Sequence, residues 1–251
     1  MWIPTLYFVE GIPYFLVNNV SVLMFAKMGV PNGQMALFTS LLYLPWTLKF
    51  LWSPFVDIIK TKRWWIITMQ IIMSIAFVVQ ALTMPHPSAE SIAAGSTPMS
   101  LFSFTLILFV FAAFASATHD IAADGFYMLA QSQSSQAAFV GVRSTFYRLA
   151  NVFGNGVIVA VAGLLETRTG NIPLAWQLTI GGSGILLTGL TLYHTFAIPK
   201  PESDVPNIQE DSGNKVAEIF TGFCRTVTTY FKKPASGSRS YSCFATVSLR
   251  P

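Results

Sequence analysis

Charge is what this chain has least of. Only 10% of its 251 residues are Asp, Glu, Lys or Arg, against 53% that are hydrophobic, and its mean hydropathy is +0.54. Soluble domains carry about a quarter charged residues, so a soluble globular class and a disordered class are both excluded. Cysteine is nearly absent. Cys224 and Cys243 are the two present, and both fall in a segment read below as cytoplasmic, where a structural disulfide does not persist. Neither they nor the scattered His86, His119 and His194 have the spacing of a metal site, and no cofactor is expected. Catalytic signatures are missing as well: there is no Gly-x-Ser-x-Gly elbow, no His-Glu-x-x-His and no Walker loop. An ATP-driven pump is thereby excluded for this chain. An intramembrane enzyme built on paired carboxylates is the weaker class, and the expectation is that the protein is not an enzyme.

What the chain does have is apolar length. Runs of about 20 residues, the length a helix needs to cross a hydrocarbon core of roughly 30 Å, cover Ile3 to Phe25, Met35 to Phe55, Trp64 to Met84, Leu101 to His119 and on to Leu129, Ala138 to Leu165, and Leu174 to Ile198. The reading is an all-α polytopic membrane protein with six transmembrane helices. Glu10, Gly11 and Pro13 interrupt the first run, which is unlike a cleavable signal peptide, so this span is expected to be retained. Lys60, Lys62 and Arg63 follow the second run; Lys200, Lys215, Arg225, Lys232 and Lys233 follow the sixth. Pro85 to Pro98 has no Lys or Arg, and the connection after the fifth run has only Arg168. The positive-inside rule then puts both termini in the cytoplasm, with Trp64 and Trp65 as interfacial anchors. Basic cytoplasmic loops account for the net charge of +4, so no nucleic-acid partner is implied; the partners expected are the bilayer, a polar small molecule and protons.

The few charges inside these runs are therefore conspicuous. An ionisable side chain within a spanning helix costs on the order of 3 kcal/mol, so it belongs to a pathway or a relay more often than to a lipid-facing surface. His119, Asp120 and Asp124 lie in the fourth run, and the two aspartates share one helical face at a spacing of four. Arg143 and Arg148 enter the fifth run as their natural partners, since an unpaired buried charge costs several kcal/mol. These five are the candidates for proton coupling, His119 because its unperturbed pKa, about 6.5, lies near physiological pH; the alternative is a static clamp between two helices. Glu10, Tyr14, Asn18 and Asn19 on the first run, with Asn151 and Asn155 on the fifth, are candidates for a substrate cavity. A kinked packing helix is the alternative reading around Pro13. Lys49 has two readings, snorkelling toward the cytoplasmic surface and a role within the span, and Gly141, Gly154, Gly156 and Gly163 are expected to allow close helix packing. Such a bundle suits a secondary transporter with its site near the midplane.

Three segments carry a family resemblance: Tyr7-Phe8-Val9-Glu10-Gly11-Ile12-Pro13-Tyr14, the stretch from Leu44 through Trp46, Lys49 and Pro54 to Asp57, and Ala117-Thr118-His119-Asp120-Ile121-Ala122-Ala123-Asp124-Gly125-Phe126-Tyr127. With them the chain resembles the N-terminal half of a major facilitator superfamily transporter, most specifically the AmpG-like muropeptide permeases and their acetyl-coenzyme A transporter relatives. The resemblance covers about residues 2–233. It implies a proton-coupled symporter importing cell-wall-derived muropeptides or a similar polar metabolite across a bacterial inner membrane. It also implies a cytoplasmic gate of Asp57, Lys62 and Arg63, although Ser53 stands where the motif has glycine and the spacing to the basic pair is altered.

By this reading, residues 1–198 form a six-helix half-transporter and 199–233 a cytoplasmic linker whose 214–233 stretch is amphipathic, with Val216, Phe220, Phe223 and Val227 on one stripe. Residues 234–251 are Ser-rich and aperiodic, and one permissible codon set, read in another frame, encodes an apolar run. They are expected to be a frameshifted, disordered tail in place of a missing C-terminal half. The alternatives are a half-transporter that needs a partner and a truncated fragment that transports nothing.

Overall fold

Every regular element among the described residues is helical. The structure is a computed structural model that describes residues 2–205 and Thr221. The chain divides into two units after Asn207. The amphipathic stretch expected over 214–233, the tail 234–251 and both cysteines belong to the second and, Thr221 apart, lie outside the described residues.

Among the described residues, four helices are long and apolar enough to cross a membrane: α1 (Ile3–Lys27), α5 (Lys62–Leu82), α7 (Met99–Ala130) and α8 (Gln133–Thr169). A fifth, α9 (Ile172–Ala197), has the length, at 26 residues, but Gln177, His194 and three central glycines make it less apolar. The second expected span is the correction. Met35 to Phe55 is not one helix but lies within the pieces α2 (Asn32–Leu41), α3 (Leu44–Leu48), a 3-10 turn (Lys49–Leu51) and α4 (Ser53–Ile58). Pro45 and Pro54 each stand in the first turn of a piece, where a missing N–H costs nothing, so each proline starts a helix instead of continuing one. The segment still runs the length of the bundle. Near its start Gln34 accepts a hydrogen bond from Met99 N at 3.0 Å, and at its far end Asp57 pairs with Lys62.

α5 lies between α7 and α9, while α1 packs against the first half of α8 and against α7. The core is apolar and centred on α1, through Val9, Ile12, Leu16, Met24 and Phe25, with Phe77, Phe102, Phe109 and Trp176 around it. Outward faces are apolar too: Phe111 on α7 is 59% exposed and Phe196 on α9 is 82% exposed, as lipid-facing surfaces require. With lipid on one side there is little hydrophobic drive between helices, so small residues set the crossings. A Cβ on Gly11 would lie 2.6 Å from Ala150 Cβ, and one on Gly154 would lie 2.8 Å from Phe15 Cβ. Of the four glycines expected to act this way, Gly154 does. Gly141, Gly156 and Gly163 meet nothing within 4 Å.

The short helix α6 (Ala89–Ala93) docks on the end of α1 at Gly29, whose φ is 78° and whose missing Cβ leaves room for Ile92 Cα at 2.7 Å. At the same end Glu166 pairs with Lys27 at 3.1 Å and accepts Trp176 Nε1 at 2.8 Å.

These crossings predict a pair of outcomes. Gly11→Val should open the α1–α8 contact and destabilise the bundle by roughly 1–3 kcal/mol, as overpacking does, whereas Gly156→Ala should stay close to wild type. Thermal unfolding of both variants in detergent checks this.

Candidate functional site

Ionisable residues of α1 and α8 converge on one cleft. It has a volume of about 440 Å³ and is lined by Tyr7 and Glu10 from α1 and by Val140, Arg143, Ser144, Tyr147 and Arg148 from α8. The period of the helix explains the lining: 7 and 10 are one turn apart on α1, as are 140, 143, 144, 147 and 148 on α8. Asp124 closes the side formed by α7. Its carboxylate pairs with Arg143 and accepts the Tyr7 hydroxyl at 3.1 Å. The Arg143 guanidinium is also held between two rings, 4.3 Å from Tyr7 and 4.4 Å from Tyr127. Cation–π contact suits the planar guanidinium better than an ammonium, so Arg143 is fixed on three sides.

Asp120 has a different partner from the one expected. It pairs with Lys49, which the 3-10 turn between α3 and α4 carries to mid-bundle, so Lys49 does not snorkel. Arg148 lines the cleft and pairs with neither aspartate. Glu10 lines the cleft, and its Oε2 is buried without a hydrogen-bond partner.

His119 faces away from the cleft. Its ring is fully buried, and its Nε2 lies 2.9 Å from Gln70 Nε2 on α5. Gln70 Oε1 meets His194 Nδ1 of α9 at 3.0 Å, and His194 Nε2 meets Thr5 Oγ1 of α1 at 3.0 Å. This neutral chain joins four helices. Gln70 and His194 are residues that sequence reasoning passed over, and an amide in the middle of an otherwise apolar run was the available signal.

The asparagines divide in the same way. Asn19 and Asn155 sit in π-turns, Leu16–Val20 of α1 and Phe153–Ile158 of α8, and Asn19 Nδ2 donates to Asn155 Oδ1 at 3.0 Å while Asn155 Nδ2 donates to Asn151 Oδ1 at 3.0 Å. Wide turns of this kind recur at functional sites. Asn18 is 3% exposed, donates to the Tyr14 carbonyl at 3.1 Å, and keeps its Oδ1 buried without a partner. The Tyr14 ring stands edge-on to Trp46 at 5.0 Å, on the side of the broken segment.

Asp57, Lys62 and Arg63 come together at one end of the bundle, with distinct partners. Lys62 pairs with Asp57 and donates to Val56 O at 3.2 Å. Arg63 instead caps α9, donating to Thr195 O at 2.5 Å and Ile198 O at 3.2 Å, where a cation meets the negative end of a helix. Asp204, unnoticed in the sequence, accepts the Lys62 and Arg63 amides at 2.7 and 3.0 Å and so caps α5. No group of metal-ligating side chains occurs among the described residues.

A family model described as acetyl-coenzyme A transporter 1 matches residues 2–155. That range holds Glu10, Lys49, both aspartates, both arginines and both π-turn asparagines. An uncharacterized protein of Schizosaccharomyces pombe is 30% identical over 152 residues, which is 57% of this chain and 28% of that protein. The chain thus spans under a third of the length of the curated relative it matches. No solved structure matches the chain.

The geometry predicts where charges couple. Double-mutant cycles on Asp124→Asn with Arg143→Gln, and on Asp120→Asn with Lys49→Gln, should each give about 1 kcal/mol of coupling, the scale of partly exposed pairs. Asp120→Asn with Arg148→Gln should give none. Separately, Asp204→Ala should cost about 1 kcal/mol as a lost helix cap. Unfolding curves in detergent measure all four.

Proposed function

This chain belongs to the acetyl-coenzyme A transporter family, and on that premise we propose that it serves proton-coupled transport of an anionic, polar metabolite of the acetyl-coenzyme A kind. One observation carries the reading: Arg148 lines a cleft between α1 and α8 while the other two cations, Lys49 and Arg143, are already paired. Arginine suits phosphate, offering several donors in a fixed plane. In this reading α1, the broken segment and α5, α7, α8 and α9 make six crossings, the N-terminal half of a major facilitator fold, with both termini in the cytoplasm and Asp57, Lys62 and Arg63 on the inner side. A second half closes the cleft across Arg148 and Ser144. Asn19, Asn151 and Asn155 supply neutral hydrogen-bonding groups further along it, and Asp120 and Asp124 with their cations hold the half together.

The asparagine ladder favours one second reading, import of muropeptides across a bacterial inner membrane, because amides suit sugar hydroxyls and peptide groups. The cationic cleft favours the polyanion.

Proteoliposomes carrying the protein should accumulate labelled acetyl-coenzyme A when an inward proton gradient is imposed. Arg148→Gln should lower that uptake about tenfold, the equivalent of about 1.4 kcal/mol for one charge-assisted contact. Accumulation of an anhydromuropeptide instead would reverse the substrate assignment, and gradient-independent traces of either would sink the transport reading.

A further inference from the structure

We propose that Asn151 is a second donor of the anion site, and that Ser144, Arg148 and Asn151 form a stripe on α8 that receives the phosphoryl oxygens of a diphosphate. This rests on the reading of the cleft as an anion site. The direction of the asparagine ladder carries the rest, because it decides which end of its amide Asn151 has to offer.

Asn19, Asn155 and Asn151 are joined by two side-chain bonds of 3.0 Å, and reversing all three amides would satisfy both bonds equally well. The backbone breaks that symmetry. The Asn155 atom that meets Asn151 Oδ1 also lies 3.4 Å from the Asn151 backbone carbonyl. A carbonyl only accepts, so that atom is the nitrogen. Asn151 therefore gives its oxygen to Asn155 and keeps two N–H donors on Nδ2, which no bond among the described residues occupies. Each bond in such a chain polarises the next and strengthens the donor at its end.

The helix period brings this donor beside Arg148. Residues 144, 148 and 151 stand at i, i+4 and i+7 within the α-helical part of α8, Gln133–Val152, so they share one face, with neighbours about 5–6 Å apart at Cβ. All three are exposed, and Ser144 and Arg148 line the cleft. The stripe thus presents a hydroxyl, a guanidinium and an amide NH2. Glu10, the acid of the lining, stands off the stripe on α1. A lone carboxylate is satisfied by the fork of Arg148, whereas a diphosphate has oxygens enough for all three groups. Asn155 and Asn19 are positioning residues here: they hold Asn151 with its nitrogen free.

Calorimetry of the full chain in maltoside micelles, with inorganic pyrophosphate as the probe, tests the stripe. Asn151→Ala should weaken binding about tenfold, the loss of one charge-assisted hydrogen bond, at an unchanged unfolding temperature. Asn155→Ala, which leaves every donor of the stripe but releases Asn151, should weaken it by roughly half that factor or less on a logarithmic scale. Asn151→Asp, equal in size, takes the place of Asn151→Ala if the latter does not fold, and should weaken binding further by setting a carboxylate beside Arg148. No binding to the wild-type protein, or wild-type affinity in a folded Asn151 variant, overturns the proposal. Displacement of pyrophosphate by added phosphatidylglycerol also overturns it, by assigning the stripe to a lipid headgroup. Binding that depends on Asn151 in a protein that accumulates no acetyl-coenzyme A keeps the stripe and removes the transport reading. Undiminished uptake by Asn151→Ala does the reverse.

Discussion

A charge surrounded by hydrocarbon must find a partner or water, and that constraint organises this bundle. Its outward faces are apolar, while Glu10, Arg143 and Arg148 line one cleft, Asp124 pairs with Arg143 and Asp120 pairs with Lys49. The pairs also hold the architecture. Arg143 ties α8 to α7 and lies on the Tyr7 ring of α1. Lys49 ties the broken segment to α7 at mid-bundle. That segment has no long helix of its own, so the ion pair there, the Asp57 pair with Lys62 at its end and the Trp52 indole donating to Thr118 at 3.2 Å hold it against the bundle.

Away from the cleft the polar groups are neutral. Thr5, Gln70, His119 and His194 form a chain through α1, α5, α7 and α9 with contacts of about 3 Å throughout. Burying a neutral amide or imidazole costs far less than burying an ion, so a dry interface accommodates this chain, with His119 Nδ1 left unpartnered, where it would not accommodate Asp120. The two faces of α7 thus differ by a single residue step: His119 looks toward α5 and Asp120 looks toward Lys49 of the broken segment. Adjacent helical positions are about 100° apart, enough to put one in each environment.

That step also explains what was legible in the sequence. Apolar runs and stranded charges marked the spanning helices and the Asp124–Arg143 pair, because cost in hydrocarbon is a property of residue type alone. The direction of His119 was not legible, since it depends on which side of α7 receives α5. Nor was the partner of Asp120: Lys49 reaches it only because Pro45 and Pro54 break the second span into pieces, whereas hydropathy averages over that break. The π-turns at Asn19 and Asn155 leave no compositional trace. Asp204 caps α5 across more than 140 residues of chain, a contact that only the tertiary fold creates.

The two arginines of the cleft differ in what it would cost to engage them. Arg143 is locked between two tyrosine rings and Asp124, which makes it unsuited to receiving an anion. Releasing it to a substrate would strand Asp124, whereas Arg148 can be engaged and freed with no other charge left unpaired.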